Sequence, residues 1–331
     1  MSQIAPEELG PVVGQVHARG EWLAAVASGR IHHAWLLRGP RGVGKSRMAL
    51  QIAAHLLSGA GADSSLAETS EGPVGRMIAA GSHPDFRIIR RPVDDKGKMK
   101  SEIPVDSVRS LESFFSLRPA LGGWRVAIVD AVDELNRNGA NAILKTLEEP
   151  PARSVLLLVS HGEQAVLPTI RSRCRMLKFD PLSRSESIDA LKSAGVPEDR
   201  ARHVVDLAPG RPGAGLALEG ADASAARAAI ERLLPSLGAA DARSFHSALM
   251  AASKSDAAFA AAFETLRAGL EDRARRERDP VLAGALAEAA LEVVRCATEA
   301  AALNQDRAQA LAEALGRLRE RTAHLAAAGS A

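Results

Sequence analysis

The stretch GPRGVGKS at residues 39–46 constrains the fold of this chain more than any other. It satisfies the pattern G-x-x-x-x-G-K-[ST], and a strand-like run precedes it while a helix-like run follows it. Glycines at this spacing let the backbone curl so that its N–H groups point inward around phosphate oxygens. The following helix adds its positive dipole end. The motif therefore predicts a phosphate-binding loop, and the alternative is a glycine-rich turn that binds no ligand.

Two side chains at the end of this loop have specific roles in such a site. Lys45 would neutralise charge on the β- and γ-phosphates, and the Ser46 hydroxyl would bind Mg²⁺. The sequence therefore predicts ATP and Mg²⁺ as cofactors. The predicted nucleotide-binding residues are Gly39, Arg41, Gly42, Val43, Gly44, Lys45, Ser46, Arg47 and Asp130. Of these, Ser46 and Asp130 are the predicted magnesium ligands.

Short apolar runs alternate with helical patterns over the first 180 residues. Continuous Val, Ile and Leu bounded by Gly, Pro or Asp is typical of strands that are buried on both faces. Strands that alternate with helices indicate a parallel, doubly wound α/β sheet. The predicted strands are 33–38, 85–90, 124–130, 154–160 and 174–179, and the predicted helices are 45–57, 105–117 and 138–147.

Asp130 ends the apolar run WRVAIVD and is the predicted Walker B carboxylate. An acidic residue at the carboxyl end of a buried strand lies in the crevice where nucleotides bind. A simple N-cap of the next helix is the alternative role for it. The next residue is Ala131, whose methyl group cannot orient or deprotonate water. A second register, with Asp133 and Glu134 as the acidic pair, is disfavoured because the apolar run ends at Val129.

The strand-like runs stop near residue 183, and the rest of the chain has helical patterns. We expect a helix over 183–195 with Ser183 or Ser185 as its N-cap, and another over 198–210 with Gly210 as its stop signal. Residues 221–331 are rich in Ala, which favours helices. The Gly- and Ser-rich segment 58–76 is predicted to be a mobile loop. The predicted domains are 1–181, 182–220 and 221–331.

Composition excludes several classes of protein. Lys and Arg number 42 against 40 Asp and Glu, so the net charge is +2 and no global attraction to nucleic acid is expected. Cys174 and Cys296 are too few for a four-ligand zinc site, and their scarcity fits a reducing cytoplasm. The N-terminus has no signal-peptide pattern, and no apolar run is long enough to span a membrane. We therefore expect a cytoplasmic protein.

Further motifs resemble those of a known family. NRNGANAILKTLEEPP at 136–151 and LPTIRSRC at 167–174 resemble the clamp-loader branch of the AAA+ ATPases. GSHPDFRII at 81–89 and IPVDSVRSL at 103–111 narrow the resemblance to the delta-prime family of bacterial DNA polymerase III. The resemblance implies an AAA+ P-loop domain with a parallel sheet, then a small helical lid, and then an all-α collar domain that mediates oligomerisation.

The resemblance also implies partners and a role. Such a subunit lies in a pentameric loader beside gamma/tau and delta subunits, and the assembly uses ATP to place the sliding clamp on primed DNA. The motif Ser172-Arg173-Cys174 implies that Arg173 is an arginine finger acting in trans on a neighbour's ATP. A solvated basic turn is the alternative for Arg173. Backbone contacts to DNA are expected from Arg109, Arg137 and Lys145, and Glu148 is a candidate contact to the neighbouring subunit.

Three departures from the family pattern bear on activity. Segment 47–82 contains no Cys, so the zinc module of many relatives is missing and His83 is expected to be structural. Gly213 stands where active subunits have a sensor Arg, and Arg211 is two positions away. Together with Ala131, this implies a subunit that binds ATP but hydrolyses it poorly and is not itself a polymerase. The alternatives are an active gamma/tau-like ATPase and a branch-migration helicase.

Overall fold

The computed structural model describes residues 11–93, 100, 102–162, 166–236, 242–302 and 305–328. The first ten residues, which the first predicted domain includes, lie outside this range. Within it, five parallel strands form one sheet in the order β2-β3-β4-β1-β5. The strands are β1 (Ala34–Arg38), β2 (Phe86–Arg90), β3 (Arg125–Asp130), β4 (Ser154–Ser160) and β5 (Arg175–Lys178). All five predicted strands are confirmed.

Helices cover both faces of the sheet, as the α/β prediction requires. One face carries α1 (Val16–Ala27), α2 (Lys45–Leu57), α3 (Leu66–Glu71) and α4 (Pro73–Ala79). The other carries α5 (Val105–Ser116), α6 (Arg137–Glu148) and α7 (Pro168–Arg171). Alternate strand residues supply the two cores, since Trp35 packs in the first and Leu36 in the second. The predicted helices 45–57, 105–117 and 138–147 are confirmed to within one residue at each end.

The segment predicted as a mobile loop, 58–76, is helical in its second half instead. It forms α3 and the first part of α4, and α4 begins at Pro73, which suits the first position of a helix. Leu66 is 2% exposed and Ile78 is 6% exposed, and both belong to the core around α2. Burial of these side chains outweighs the weak helical propensity of the surrounding glycines and serines, which is why the prediction was wrong from residue 66 onwards.

Three further helices complete the first compact unit, which spans Ser2–Gly215. They are α8 (Arg184–Ser193), α9 (Glu198–Leu207) and α10 (Pro212–Ala217), the last of which crosses the end of the unit. Ser183 is the N-cap of α8 and forms a reciprocal capping box with Glu186, which confirms Ser183 rather than Ser185. The stop predicted at Gly210 was wrong, because α9 ends at Leu207 and Gly210 lies beyond its cap.

The second compact unit runs from Leu216 to the end of the chain. Its helices are α11 (Ala221–Leu233), α12 (Ala242–Ala252), α13 (Asp256–Arg276), α14 (Pro280–Ala302) and α15 (Arg307–Ala328). Small residues such as Ala226 and Ala262 are fully buried, so these helices pack closely. The three-domain division stays a prediction, since the chain separates into two units by its contacts. Among the described residues, no helix is long and apolar enough to cross a membrane.

Candidate nucleotide-binding site

The loop between β1 and α2 leaves no room for side chains at two of its glycines. Gly42 has φ of +88°, a left-handed conformation that residues with a Cβ rarely adopt. A Cβ on Gly42 would lie 2.2 Å from the amide nitrogen of Ala214. A Cβ on Gly39 would lie 2.3 Å from the carbonyl oxygen of Phe179. The glycine spacing that the motif prescribes therefore has a steric cause in this fold.

Helix α2 points its N-terminus at this loop. It begins at Lys45, and Gly44 is the N-cap residue. Within the described part of the chain, no side chain caps this end, and its first turn contains no acidic residue. Because the N-terminal N–H groups and dipole of a helix attract anions, the start of α2 is suited to a phosphate group.

Lys45 lies inside the loop, and only 2% of the residue is exposed. Its ammonium donates hydrogen bonds to the carbonyl oxygens of Gly39, at 2.6 Å, and Pro40, at 2.5 Å. Burial lowers the pKa of Lys45 to about 7, although the negative charges of Asp133 and Asp130 oppose this shift. An anion beside the amine would favour its charged form, so the position is suited to a phosphate oxygen.

Ser46 and Asp130 meet at the carboxyl end of the sheet. The Ser46 hydroxyl donates a hydrogen bond of 2.9 Å to Oδ1 of Asp130, which is the last residue of β3. Burial raises the pKa of Asp130, and the hydrogen bond from Ser46 is the largest effect that opposes the rise. A hydroxyl and a carboxylate are hard oxygen ligands of the kind that Mg²⁺ prefers. The two predicted magnesium ligands therefore fit that role together.

The acidic residues after Asp130 already have partners in the protein. Oδ1 of Asp133 accepts a hydrogen bond of 2.8 Å from the Ser160 hydroxyl, and Oδ2 accepts from the backbone N–H of His161. Glu134 forms an ion pair of 2.8 Å with Nε of Arg91. Burial raises the pKa of both carboxyls. Both residues lie in a 3-10 turn beyond β3. The acidic residue that ends the strand is therefore Asp130, and the register that makes Asp133 and Glu134 the acidic pair does not match the strand.

His161 is a member of this site that the sequence reasoning missed. It follows β4, whose neighbours in the sheet are β3 and β1. Burial lowers its pKa well below the usual value, and the charges of Lys45, Arg41 and Arg91 lower it further. The imidazole is therefore neutral near a cluster of cations. The available signal was its place at the carboxyl end of a central strand, where α/β folds bind ligands.

The first turn of α10 lies directly on the phosphate loop. The Gly213 N–H donates a hydrogen bond of 3.0 Å to the carbonyl oxygen of Gly42. A Cβ on Gly213 would lie 3.2 Å from the Cα of Gly42, which is tighter than ordinary contact. Beside this contact is a cavity of about 40 Å³, lined by Pro11, Val12, Val13, Gly42, Val43, Gly44, Arg47, Leu182, Ala190, Leu191, Pro212 and Gly213.

The remaining predicted loop residues differ in their surroundings. The side chain of Val43 is 1% exposed and packs in the core, so only its backbone is left to face a ligand. Arg41 is exposed, and its charge acts on Lys45 and Asp130. Arg47 lines the small cavity. Loop and strand together thus assemble a cation, a hydroxyl and a carboxylate around one glycine-rich turn.

Arg173 lies just beyond α7 and precedes β5, at the amino ends of the strands, whereas the phosphate loop follows β1 at their carboxyl ends. Its Nη1 donates a hydrogen bond of 2.9 Å to the carbonyl oxygen of Thr169, and its Nη2 pairs with Oε1 of Glu148 at 2.9 Å. Its side chain is 37% exposed. Burial raises the pKa of the neighbouring Cys174 thiol to about 12, so this thiol stays protonated. The structure thus presents Arg173 to solvent on an ordered turn.

Comparison with known proteins identifies the family. A family model described as DNA polymerase III, delta subunit, matches residues 14–183, about half of the chain. The same region holds the sheet, the phosphate loop and Arg173. The chain belongs to the delta-prime family of DNA polymerase III. The resemblance of the sequence motifs to this family is thereby confirmed.

Curated relatives include two delta-prime subunits. The chain is 41% identical to that of Pseudomonas aeruginosa over 146 residues, which are 43% of this chain and 41% of the relative. It is 31% identical to that of Escherichia coli over 197 residues, which are 59% of this chain and 57% of the relative. It is also 35% identical to the Escherichia coli tau subunit over 171 residues, 51% of this chain and 25% of tau. The chain spans about half the length of the delta-prime relatives that it matches.

A solved structure of similar extent is a gamma-subunit-related protein from Thermotoga maritima. The TM-score is 0.48 at 15% identity, over 92% of this chain and 99% of the other. The α/β AAA+ fold class of this delta-prime family member is shown by its parallel sheet, its helical layers and its family.

The three residues predicted to contact DNA are exposed on α5 and α6, helices of this delta-prime family member that pack together. Lys145 forms an ion pair of 2.9 Å with Glu112, and Arg109 approaches Asp106 at 3.4 Å. Arg137 lies at the first position of α6. Their basic groups are accessible, and the DNA contacts themselves stay a prediction.

Proposed function

We propose that this chain is the delta-prime subunit of a DNA polymerase III clamp loader, one that binds ATP but hydrolyses it poorly and assists a neighbour in trans. One observation carries the proposal. The binding groups Lys45, Ser46 and Asp130 are assembled, while the position after Asp130 is a buried methyl group and the nearby carboxylates are committed to other partners. The chain thus has the groups for binding without a group to activate water.

The residues have distinct tasks in holding magnesium-ATP. The loop backbone and the start of α2 would hold phosphate oxygens, and Lys45 would exchange its carbonyl partners for the β- and γ-phosphates. Ser46 and Asp130 would hold Mg²⁺, which supplies charge neutralisation to the triphosphate when bound. Ala131 offers no carboxylate to orient a water molecule, so the triphosphate would persist.

The proposed lid also lacks a group that would assist hydrolysis. Gly213 has no cationic side chain to reach the γ-phosphate, and its backbone is engaged with Gly42. Addition of any side chain there is opposed by the Gly42 backbone at 3.2 Å. We infer that bound ATP has a structural role in this subunit, in which it fixes α10 on the phosphate loop.

Arg173 would serve the neighbouring gamma/tau subunit. A guanidinium is planar and permanently charged, which suits it to the charge that develops on a transferring γ-phosphoryl group. Arginine fingers of this type raise hydrolysis by about 10³–10⁵-fold. Exposure of Arg173 on an ordered turn supports this role, since a finger must cross a subunit interface.

The assembly that we propose is the cytoplasmic pentameric loader with gamma/tau and delta subunits. It would use ATP to open the sliding clamp and place it on primed DNA during replication, with Arg109, Arg137 and Lys145 near the DNA backbone. Residues 1–181 would be the nucleotide-binding domain, 182–220 the lid and 221–331 the collar. We expect no sequence-specific readout of DNA.

An active gamma/tau-like ATPase is the second candidate. It is favoured by the intact phosphate loop and by the similarity to tau. It is opposed by Ala131 and Gly213, which leave both the water and the γ-phosphate without the side chains that hydrolysis uses.

Turnover by the isolated chain distinguishes the two candidates. We expect magnesium-ATP to bind the purified chain in equilibrium dialysis, and we expect no hydrolysis above background. Lys45→Ala should abolish ATP binding, because it removes the buried cation. This variant therefore serves as the control that has no nucleotide in the site. Hydrolysis at a rate of about 1 s⁻¹ or more that is lost in Lys45→Ala would overturn the proposal in favour of the active ATPase.

A further inference from the structure

The surroundings of Arg173 contain a side chain that the proposed function leaves without a task. Oε1 of Glu148 lies 2.9 Å from Nη2 of Arg173, and the Thr169 carbonyl oxygen accepts a hydrogen bond of 2.9 Å from Nη1. Glu148 is half-exposed and Arg173 is 37% exposed. The two contacts engage both terminal nitrogens of the guanidinium from the side of the protein. A guanidinium has more N–H donors than these contacts use, so donors remain for an approaching phosphate.

Glu148 projects from a firmly anchored helix end. It is the last residue of α6, where Leu147 is 2% exposed and Ile143 is fully buried. Pro150 then ends the helix, because proline cannot continue it. The carboxylate is therefore carried by backbone that has little freedom to move.

The backbone beneath Arg173 is equally constrained. Its N–H donates a hydrogen bond of 3.1 Å to the carbonyl oxygen of Ile170, whose side chain is 1% exposed. The long arginine side chain is the flexible part, since it has several rotatable bonds and a large rotamer entropy. An ion pair with a fixed carboxylate removes much of that freedom before any phosphate is present.

We propose that Glu148 is a positioning residue that holds the Arg173 guanidinium in the conformation presented to a neighbouring subunit's triphosphate. The inference rests on the proposed trans action of Arg173 and adds a residue to it. Pre-ordering a group in its working geometry raises the rate of the chemical step, since less entropy is lost in the transition state. Because both partners are partly solvated, the effect is modest, and the carboxylate does not have to be desolvated or expelled.

The opposite role is physically distinct and gives the test its second arm. If the carboxylate competes with the γ-phosphate for the guanidinium, its removal would free Arg173 and raise hydrolysis. If the pair only stabilises the fold, its removal would change neither kcat nor KM of the assembled loader.

The experiment uses the reconstituted clamp loader with Glu148→Gln in this subunit. Steady-state ATP hydrolysis is measured in the presence of clamp and primed DNA. We expect kcat to fall roughly twofold to fivefold with KM for ATP unchanged, the size expected when one exposed ion pair is lost. Glu148→Asp, which keeps the charge, should restore part of the rate. The matched control is Asp206→Asn, which removes the carboxylate that pairs with Arg184 and is similarly exposed, at 58% against 51% for Glu148.

A second comparison separates the inference from the proposed function. In an Arg173→Ala background, Glu148→Gln should cause no further loss, because a positioning residue acts only through the group that it positions. If Arg173→Ala itself leaves hydrolysis unchanged, the proposed trans action fails. If Arg173→Ala lowers kcat while Glu148→Gln leaves it unchanged or raises it, only the positioning role of Glu148 is overturned.

Discussion

At the level of single residues, the phosphate loop shows which features a sequence motif can and cannot predict. The sequence predicts that Ser46 and Asp130 bind one ion, because Ser46 ends the loop and Asp130 ends a central strand. In the structure the Ser46 hydroxyl lies 2.9 Å from Oδ1 of Asp130. The contact between Gly42 and Gly213 was not predictable, since 171 positions separate them (213 minus 42). Only the folded chain shows that the missing sensor side chain coincides with close backbone packing.

This close packing yields a prediction for Gly42→Ala. The new methyl group would lie 2.2 Å from the Ala214 nitrogen, and φ of +88° would be strained. We expect the free energy of unfolding of the first compact unit to fall by at least ~2 kcal/mol, because strain and overlap add together. Magnesium-ATP binding should be lost as well, since α10 can no longer rest on the loop. Urea unfolding and equilibrium dialysis measure the two effects.

Gly59→Ala is the matched control for backbone strain alone. Gly59 has φ of +69°, and nothing lies within 4 Å of the position that its Cβ would occupy. Its cost should be about 1 kcal/mol, from the left-handed conformation. Equal losses for the two variants would show that close approach of α10 contributes nothing.

At the level of secondary-structure elements, long apolar runs were predictable and short buried helices were not. All seven residues of β4 are buried, so its run of Val and Leu had no competing interpretation. In contrast, α3 and α4 have six and seven residues, too few for a clear helical period. Their stability comes from Leu66 and Ile78 packing against the core, and that information is tertiary.

The connection between α5 and β3 depends on the buried carboxylate of Asp85. In the sequence this residue stands out only as part of the motif GSHPDFRII. Asp85 accepts hydrogen bonds from the backbone N–H groups of Ala120, at 2.7 Å, and Leu121, at 2.9 Å. It also lies 3.3 Å from Nη2 of Arg125, and the two side chains are 1% and 8% exposed. This arrangement joins the start of β2 to the turn before β3. The structural role expected for the neighbouring His83 fits the burial of that residue.

Asp85→Asn is therefore expected to be strongly destabilising. It leaves the Arg125 guanidinium buried without a counter-charge, which costs about 3–5 kcal/mol when a buried pair is broken. Urea unfolding of the full chain measures the loss. The control is Asp106→Asn, whose carboxylate is 87% exposed and 3.4 Å from Arg109, and which should leave stability unchanged. A comparable loss in both variants would contradict the role of burial.

At the scale of the whole molecule, the first compact unit carries both a candidate nucleotide site and a partly exposed guanidinium. The groups around Lys45 converge on one loop, whereas Arg173 is held by α6 and α7. Composition could not reveal this separation, because the net charge of +2 averages over it. The family motifs could reveal it, because the phosphate-loop motif indicates nucleotide binding by this chain and the motif around Arg173 indicates action on a neighbour's ATP.

The separation predicts that two substitutions in one subunit affect the loader differently. Arg173→Ala should slow hydrolysis at the neighbouring gamma/tau site by about 10³-fold or more, because transition-state charge there loses its cation. Lys45→Ala should leave that rate within about twofold, since it acts on nucleotide held by this chain, where no hydrolysis is expected. Single-turnover hydrolysis by the reconstituted loader measures both, with assembly checked by gel filtration. Equal effects of the two variants would mean that this subunit's own ATP takes part in catalysis, and the division between binding in cis and assistance in trans would be wrong.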